Sequence, residues 1–257
     1  MTTRKAERDF DELSAVYDET RHPLDPSTLE GLRGYLHEHR WHSILEVGVG
    51  TGRIAQPLVE GGWKLVGVDA SRGMLARARA KGVPYLVHGT AYHLPFPDRA
   101  FDAALFVHVL HVLDDPGAGL REAARVSRGG VLAVMDRAPN EPSPDRPEDP
   151  SPREVLRRIL ADAGYPELLR AGPRVKEREI LRAFPPTEIR LLSEREVTEP
   201  LAKQLDTIEK RGYRHVLDLP PEVLRTAVAA ARAQVGSRTV TYRRQESIVW
   251  WSAAPTP

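Results

Sequence analysis

The stretch "ILEVGVGTGRIA" (residues 44–55) decides the fold, because a short apolar run leads directly into glycines at three alternate positions. A run of this length and composition is typical of a buried strand. Gly48, Gly50 and Gly52 would then form the turn after it. Glycine accepts a positive φ and lacks the Cβ atom that would keep a ligand away from the backbone. We therefore expect a ligand site immediately after this strand.

Strands and helices alternate on both sides of this turn. Short apolar runs bounded by Gly, Pro or Asp predict strands at 43–48, 64–69, 84–89, 101–109 and 130–136. Helical patterns lie between them at 53–60, 72–81 and 117–126. This alternation predicts an α/β fold, a doubly wound, Rossmann-like and mostly parallel sheet. In such a sheet the ligand binds beyond the carboxyl ends of the strands.

The rhythm changes after the fifth strand. Residues 138–153 contain six prolines and predict an exposed linker or lid. Beyond it we expect helices at 153–163, 176–184, 201–211 and 221–234, and strands at 188–199 and 238–253. The sheet would then have seven strands, with a helical insertion that could cap the strand ends.

Composition narrows the class of protein. The chain has 257 residues, a net charge of +1 and no cysteine, so disulfides, thiolate nucleophiles and Cys-based metal sites are excluded. The near-neutral charge gives no indication of nucleic acid or an anionic membrane as a partner. No apolar run approaches the roughly 20 residues of a membrane span. The N-terminus lacks the apolar core of a signal peptide. We expect a soluble, cytoplasmic protein.

The glycine turn fits common nucleotide motifs only in part. The dinucleotide fingerprint G-x-G-x-x-G would need glycine where the chain has Arg53, and a P-loop would need a lysine that "GTGR" lacks. Glu46, two residues before the first glycine, would repel a pyrophosphate but attract an ammonium or a sulfonium. A ligand without phosphates therefore suits this turn better.

Six ordered motifs together resemble a known family. Residues 45–52 fit the pattern "LEhGxGTG", "VGVDAS" places Asp69 at the end of the second strand, and "GMLARAR" (73–79) continues into the next helix. The stretches 88–115 and 122–136 follow in order, and "FDELSAVYDETR" (10–21) precedes them. In these features the chain resembles the class I S-adenosylmethionine-dependent methyltransferases, in particular the group of ubiquinone and menaquinone-biosynthesis C-methyltransferases.

The resemblance implies S-adenosylmethionine as cofactor, an antiparallel last strand and a set of binding roles. The three glycines would let the backbone approach the methionine moiety, Asp69 would accept the ribose hydroxyls, and Tyr17 and Arg21 would reach the methionine end. Arg21 would pair with the carboxylate of the methionine moiety. Met74 could pack on the adenine or belong to the core. The predicted cofactor-binding set is completed by Glu46, Val49, Ala70, Gly89, Thr90, Ala91 and Val107.

One position departs from the family pattern. Relatives commonly carry an acidic residue after the third strand, where it contacts the adenine amino group, and this chain has Thr90 there. A hydroxyl can still accept a hydrogen bond but carries no charge. We therefore expect weaker cofactor binding than is usual in the family.

Two histidines after the fourth strand are candidate general bases. His108 is the first candidate because strand-four ends face the transferred methyl in this family, and His111 is the second. A structural role is an open alternative for each. We expect no metal.

The acceptor is predicted by elimination. The chain lacks the Asn/Asp-Pro-Pro-aromatic motif of amino-nitrogen methylation in nucleic acids and has no cysteine for cytosine C5 methylation. A small-molecule acceptor remains, with no nucleic acid and no membrane as partner. The stretch "EKRGYRHVLDLP" (209–220) hints at an acidic or polar acceptor, or is a plain helix end.

Four regions follow from this interpretation. Residues 1–40 would be N-terminal helices closing over the cofactor and 41–137 the S-adenosylmethionine-binding core. Residues 138–235 would hold the Pro-rich linker, helical cap and sixth strand, and 236–257 the final strand. We expect a monomer or homodimer. Two other functions stay open: a cofactor-binding but catalytically idle partner or sensor, and an NAD-dependent oxidoreductase.

Overall fold

One seven-stranded sheet organises the chain, in the order β3-β2-β1-β4-β5-β7-β6. The computed structural model describes residues 9–21, 25–136, 151–166 and 177–252. The predicted linker therefore lies outside the described residues from 138 to 150. The strands are β1 (Ser43–Val47), β2 (Lys64–Asp69), β3 (Leu86–His88), β4 (Ala103–Val107), β5 (Val131–Asp136), β6 (Glu188–Pro200) and β7 (Thr239–Trp251).

Strand direction follows the prediction. β1 pairs in parallel with β2 and β4, β2 with β3, and β4 with β5. β7 is antiparallel to β5, with Val131 opposite Trp251 and Asp136 opposite Glu246. The central strands are buried almost throughout, because helices cover both faces of a parallel sheet. The predicted fold class, including the antiparallel last strand, is confirmed.

The helices lie between the strands along the chain. They are α1 (Tyr17–Thr20), α2 (Pro26–Glu38), α3 (Ala55–Glu60), α4 (Arg72–Ala80), α5 (Pro116–Val126), α6 (Pro152–Asp162), α7 (Glu177–Ala183), α8 (Asp206–Glu209) and α9 (Pro221–Val235). Short 3₁₀ helices occupy Leu110–Val112, Leu201–Leu205 and Arg214–Val216. No helix in the described part of the chain combines the length and apolar character needed to cross a bilayer.

The single helix predicted over 201–211 is wrong. Leu201–Leu205 form a 3₁₀ helix, and only Asp206–Glu209 continue as α8. Arg211 then takes a left-handed φ of 57°. This conformation ends the helix.

Contacts divide the chain into two compact units. The helical unit comprises the described residues of Met1–His22, Pro142–Gly172 and Arg195–Arg243, and the sheet unit those of Pro23–Glu141, Pro173–Glu194 and Arg244–Pro257. The sheet unit has an apolar cluster around Ile44 and Leu105 and another around Leu45 and Phe106. The helical unit has a third, which includes Leu156, Leu160, Leu224 and Val228. Each unit therefore has apolar packing of its own.

Candidate functional site

The glycine turn directly follows β1 and is tied to the end of β2. The amides of Gly48 and Val49 both donate to the Val68 carbonyl, at 2.7 and 3.0 Å. Gly48, Gly50 and Gly52 all have positive φ, between 55° and 78°. A Cβ at Gly48 would lie 2.6 Å from a methyl of Val109, whereas a Cβ at Gly50 would meet open space. Gly48 is therefore needed for packing, and Gly50 leaves the backbone accessible to a ligand.

Asp69 connects this turn to α4. Its Oδ2 accepts the Gly50 amide at 2.8 Å, and its Oδ1 accepts the Ser71 amide at 2.8 Å. The Ser71 hydroxyl in turn accepts the amide of Met74 at 3.1 Å and caps α4. Met74 is 2% exposed and lies in the core. The carboxylate therefore fixes the relative positions of the glycine turn and the helix start.

Glu46 is a buried carboxyl group beside this turn. It is 2% exposed, and its Oε2 has no hydrogen-bond partner among the described residues. Burial raises the pKa of Glu46 well above its usual value, the negative charge of Asp69 raises it further, and Arg53 opposes both. A buried polar oxygen without a partner is rare and costly. Its position suits a ligand group that donates a hydrogen bond or carries positive charge.

The other predicted binding residues of the sheet unit lie along the same edge of the sheet. The Gly89 amide donates to the Asp69 carbonyl at 3.0 Å, and Thr90 forms an isolated bridge with His93. Ala91 is buried, and Val107 is the last residue of β4. Val49 packs its side chain where a Cβ at Gly67 would lie, and Ala70 lies between Asp69 and Ser71. The structure thus brings the ends of β1 to β4 to one edge.

Tyr17 and Arg21 belong to the helical unit. The Arg21 guanidinium donates to the Gly212 carbonyl at 3.0 Å and lies over the rings of Tyr17 and Tyr213, at 4.6 and 5.1 Å from their centroids. Their role toward the cofactor stays a prediction.

Two arginines of 209–220 have partners within the helical unit. Arg211 donates to the carbonyls of Leu217 and Leu219, and Arg214 pairs with Asp9 at 3.2 Å. This pattern favours a structural role for these two arginines.

His108 lies between two carboxylates just past β4. Its backbone is left-handed, with φ 53°, and its amide donates to the Val134 carbonyl. Nε2 is 3.7 Å from Oε1 of Glu246, and Nδ1 is 4.0 Å from Oδ2 of Asp136. Burial acts to lower the pKa of His108, but the carboxylates of Glu246, Asp136 and Glu177 outweigh it, so that the pKa is raised. A larger share of His108 is therefore imidazolium near neutral pH than for a free histidine.

Glu246 anchors this cluster from β7. It is 1% exposed, its Oε2 accepts the Thr28 hydroxyl, and Arg244 lies 3.1 Å from Oε1. Thr28 also shares a 2.6 Å hydrogen bond with Ser193. Burial acts to raise the pKa of Glu246, but His108, Thr28 and Arg244 lower it to about 2. The group is therefore an ionised carboxylate at any physiological pH.

His108, Asp136 and Glu246 each offer an atom within 4.8 Å of the others, the spacing of a metal site. Arg244, however, pairs with both carboxylates, at 3.1 Å from Glu246 and 3.7 Å from Asp136. A guanidinium in this position opposes a divalent cation. We interpret the group as a network of ion pairs.

His111 lies near this network in the 3₁₀ helix Leu110–Val112. Its Nδ1 is 3.6 Å from Oε1 of Glu177 on α7. His108 and Glu177 lie beside apolar side chains that include Phe106, Leu110 and Met135. Both histidines thus have a carboxylate partner at the carboxyl edge of the sheet.

Several residues of the site were missed by the sequence analysis. Asp136 ends β5 as Asp69 ends β2, and this parallel between "GVLAVMD" and "KLVGVD" was a usable signal. Glu246 stands in a polar triplet, "QES", at the point where β7 becomes buried. Thr28, Arg244 and Glu177 carry no comparable signal, because only the folded chain brings them together.

Within the sheet unit, the chain is similar to methyltransferase domains. Residues 45–135 match the methyltransferase domain family, and this segment is less than half of the chain. A demethylmenaquinone methyltransferase of Corynebacterium kroppenstedtii is 37% identical over 138 residues, covering 52% of this chain and 60% of that protein. A phosphatidylethanolamine N-methyltransferase of Cereibacter sphaeroides is 36% identical over 109 residues, covering 39% and 53%. The chain thus spans at most about 60% of the length of these curated relatives.

Solved structures support the fold over more of the chain. A methyltransferase of Thermotoga maritima superposes with a TM-score of 0.50 at 20% identity, covering 97% of this chain and 99% of that one. The YcgJ protein of a Bacillus species gives 0.50 at 20% identity, covering 86% and 98%. The predicted resemblance to class I S-adenosylmethionine-dependent methyltransferases is confirmed, and it is carried by segment 45–135, which matches the methyltransferase domain family. The family match likewise supports S-adenosylmethionine as the cofactor of this domain.

Proposed function

We propose that this chain is an enzyme that transfers a methyl group from S-adenosylmethionine to a small-molecule acceptor. The observation that carries the proposal is the site formed by the glycine turn, Asp69 and Glu46. Gly50 leaves open space, Asp69 joins the turn to α4, and the buried Oε2 of Glu46 has no partner among the described residues. An accessible backbone with two carboxyl groups suits a cationic nucleoside and disfavours a pyrophosphate.

The described residues can be assigned roles in this reaction. When bound, the cofactor supplies an electrophilic methyl group on a sulfonium, and the S–C electron pair stays on the sulfur. The protein then mainly holds acceptor and methyl donor in line, an effect worth roughly 7–11 kcal/mol. His108, with His111 as second candidate, would take the proton that the acceptor loses, a contribution of about 10²–10⁴-fold.

The names of the relatives suggest acceptors to test. Demethylmenaquinone, a phospholipid amine and other small molecules are candidate acceptors by this argument. We further propose that nucleic acid is not the acceptor and that the chain is a monomer or homodimer, which light scattering would test.

Calorimetric titration is the test of cofactor identity. We expect S-adenosylmethionine to bind, NAD not to bind, and Asp69→Ala to lose most of the affinity, because charge-assisted hydrogen bonds are worth about 1.5–3 kcal/mol each. Asp136→Asn, another strand-end acid, is the matched control and should keep the affinity. Preference for NAD would favour an oxidoreductase and contradict the proposal.

Turnover is tested separately with radiolabelled S-adenosylmethionine and demethylmenaquinone or phosphatidylethanolamine. Methyl incorporation that His108→Ala reduces far more than it reduces cofactor affinity would support the base role. Tight cofactor binding without methylation of any acceptor would favour an idle partner or sensor protein.

A further inference from the structure

The pairing of β5 with β7 creates an unusual contact at the edge of the sheet. Asp136 and Glu246 lie directly opposite each other in the antiparallel register. Like charges at such a position are destabilising. Two cationic groups, His108 and Arg244, lie beside both carboxylates and offset this repulsion.

The two carboxylates beside His108 differ in their surroundings. Glu246 has 2% of its side chain exposed and is bound by Thr28 and Arg244, whereas Asp136 has 58% exposed. A buried charge interacts more strongly than an exposed one, because solvent screens the exposed one. Glu246 is therefore the dominant partner of His108, and its carboxylate faces Nε2 of the imidazole.

We propose that Glu246 is a positioning residue for methyl transfer, which holds Nε2–H of His108 and leaves Nδ1 as the nitrogen that accepts a proton. This inference rests on the proposed function. The second nitrogen of a catalytic histidine is commonly fixed by a carboxylate, which sets the tautomer and orients the ring. The 3.7 Å separation is an ion-pair distance, and such contacts often shorten when substrate binds.

The proton and the electrons balance in this step. Nδ1 takes the proton from the acceptor atom, the electron pair freed there forms the new bond to the methyl carbon, and the pair of the broken S–C bond would stay on the sulfur. His108 becomes an imidazolium between Glu246 and Asp136, and both charges stabilise it. It must then release this proton to solvent before the next turnover. The exposed side of the group, toward Asp136, is the available route.

This arrangement makes the base pH-dependent. The groups that face His108 are Glu246 on β7, Asp136 on β5 and Glu177 on α7, while Arg244 lies beside the first two. The acidic groups favour the imidazolium, so the free base of His108 forms at higher pH than in a histidine with the usual pKa of 6.5. Turnover should therefore fall on the acidic side with the titration of His108.

The test is a nuclear magnetic resonance titration of the histidine Cε1–Hε1 signals in the full chain, with His108 assigned from His108→Gln. We expect the wild-type midpoint above 6.5 and a shift to lower pH in Glu246→Gln. Asp136→Asn is the matched control and should shift the midpoint less. A wild-type midpoint at or below 6.5, which needs no variant of Glu246, would overturn the pairing. An unchanged midpoint in Glu246→Gln would overturn it as well.

Kinetics separate positioning from a purely structural role. With an acceptor that is turned over, Glu246→Gln should lower kcat about tenfold or more, leave the affinity for S-adenosylmethionine unchanged, and move the acidic limb of the pH profile with the midpoint of His108. Full turnover in His108→Gln would contradict the proposal. Absence of turnover in the wild type would count against the proposed function, whereas the titration reports on the pairing independently.

Discussion

At the scale of single residues, the carboxyl edge of the sheet holds ionisable groups whose protonation is set by their surroundings. Glu46 and Glu246 are both buried glutamates, yet burial and Asp69 raise the pKa of Glu46, whereas His108, Thr28 and Arg244 lower that of Glu246. Hydrogen bonds and nearby cations therefore decide the sign of the shift, because burial acts in the same direction on both. Perturbed carboxyl groups of this kind are characteristic of functional sites.

The raised pKa of Glu46 predicts a stability that depends on pH. The folded chain binds this proton more tightly than the unfolded chain, so the stabilisation is fully present below the usual value of 4.5 and is lost as pH rises through the raised pKa. Glu46→Gln cannot ionise and avoids this loss. We expect the variant to gain stability relative to wild type as the pH is raised from about 4 to about 8, measured by urea unfolding without cofactor.

The control for this prediction is Val59→Ala on α3, which removes no ionisable group and should change the free energy of unfolding by the same amount at each pH. A difference between Glu46→Gln and wild type that does not change with pH would show that Glu46 is ionised in the folded chain.

At the scale of secondary structure elements, the start of α4 holds Asp69 beside the glycine turn. Ser71 is 1% exposed and caps the helix, while its amide holds Asp69. Ser71→Ala should cost about 0.5–2 kcal/mol of the free energy of unfolding. It should also weaken S-adenosylmethionine binding, because a frayed first turn no longer holds Asp69 in place. Thermal unfolding and calorimetry measure the two effects.

Ser151→Ala provides the comparison, because Ser151 caps α6 through a capping box with Glu154 in the helical unit. It should cost a similar free energy of unfolding and leave cofactor affinity unchanged. Equal losses of affinity in both variants would contradict a specific role for the α4 cap.

The elements also show how far the sequence can be interpreted. Strands such as β2 and β5 could be predicted closely because buried parallel strands are continuous apolar runs between Gly, Pro and Asp. The glycine turn and Asp69 were predictable because they follow directly from strand ends. The link between His108 and Glu246 was not, since it depends on the register of β5 against β7, which no local pattern specifies.

At the scale of the whole molecule, each of the two units contains a separate set of the predicted binding residues. The glycine turn, Asp69, Glu46 and the His108 network all belong to the sheet unit. The helical unit has its own apolar cluster and contains Tyr17 and Arg21, the predicted residues for the methionine end of the cofactor. A core substitution can therefore be placed in either unit without altering the binding residues themselves.

This separation predicts that two leucine-to-alanine substitutions, one in the core of each unit, have the same effect on stability but different effects on S-adenosylmethionine binding. Leu156 on α6 and Leu45 on β1 are each fully buried, in the clusters of the helical and the sheet unit respectively. Replacing either by alanine should cost about 2–5 kcal/mol of the free energy of unfolding. Only Leu45→Ala should weaken S-adenosylmethionine binding, because β1 carries Glu46 and leads into the glycine turn. Urea unfolding and calorimetry below the unfolding transition measure both quantities. Loss of affinity in Leu156→Ala equal to that in Leu45→Ala would show that the helical core also supports the cofactor site.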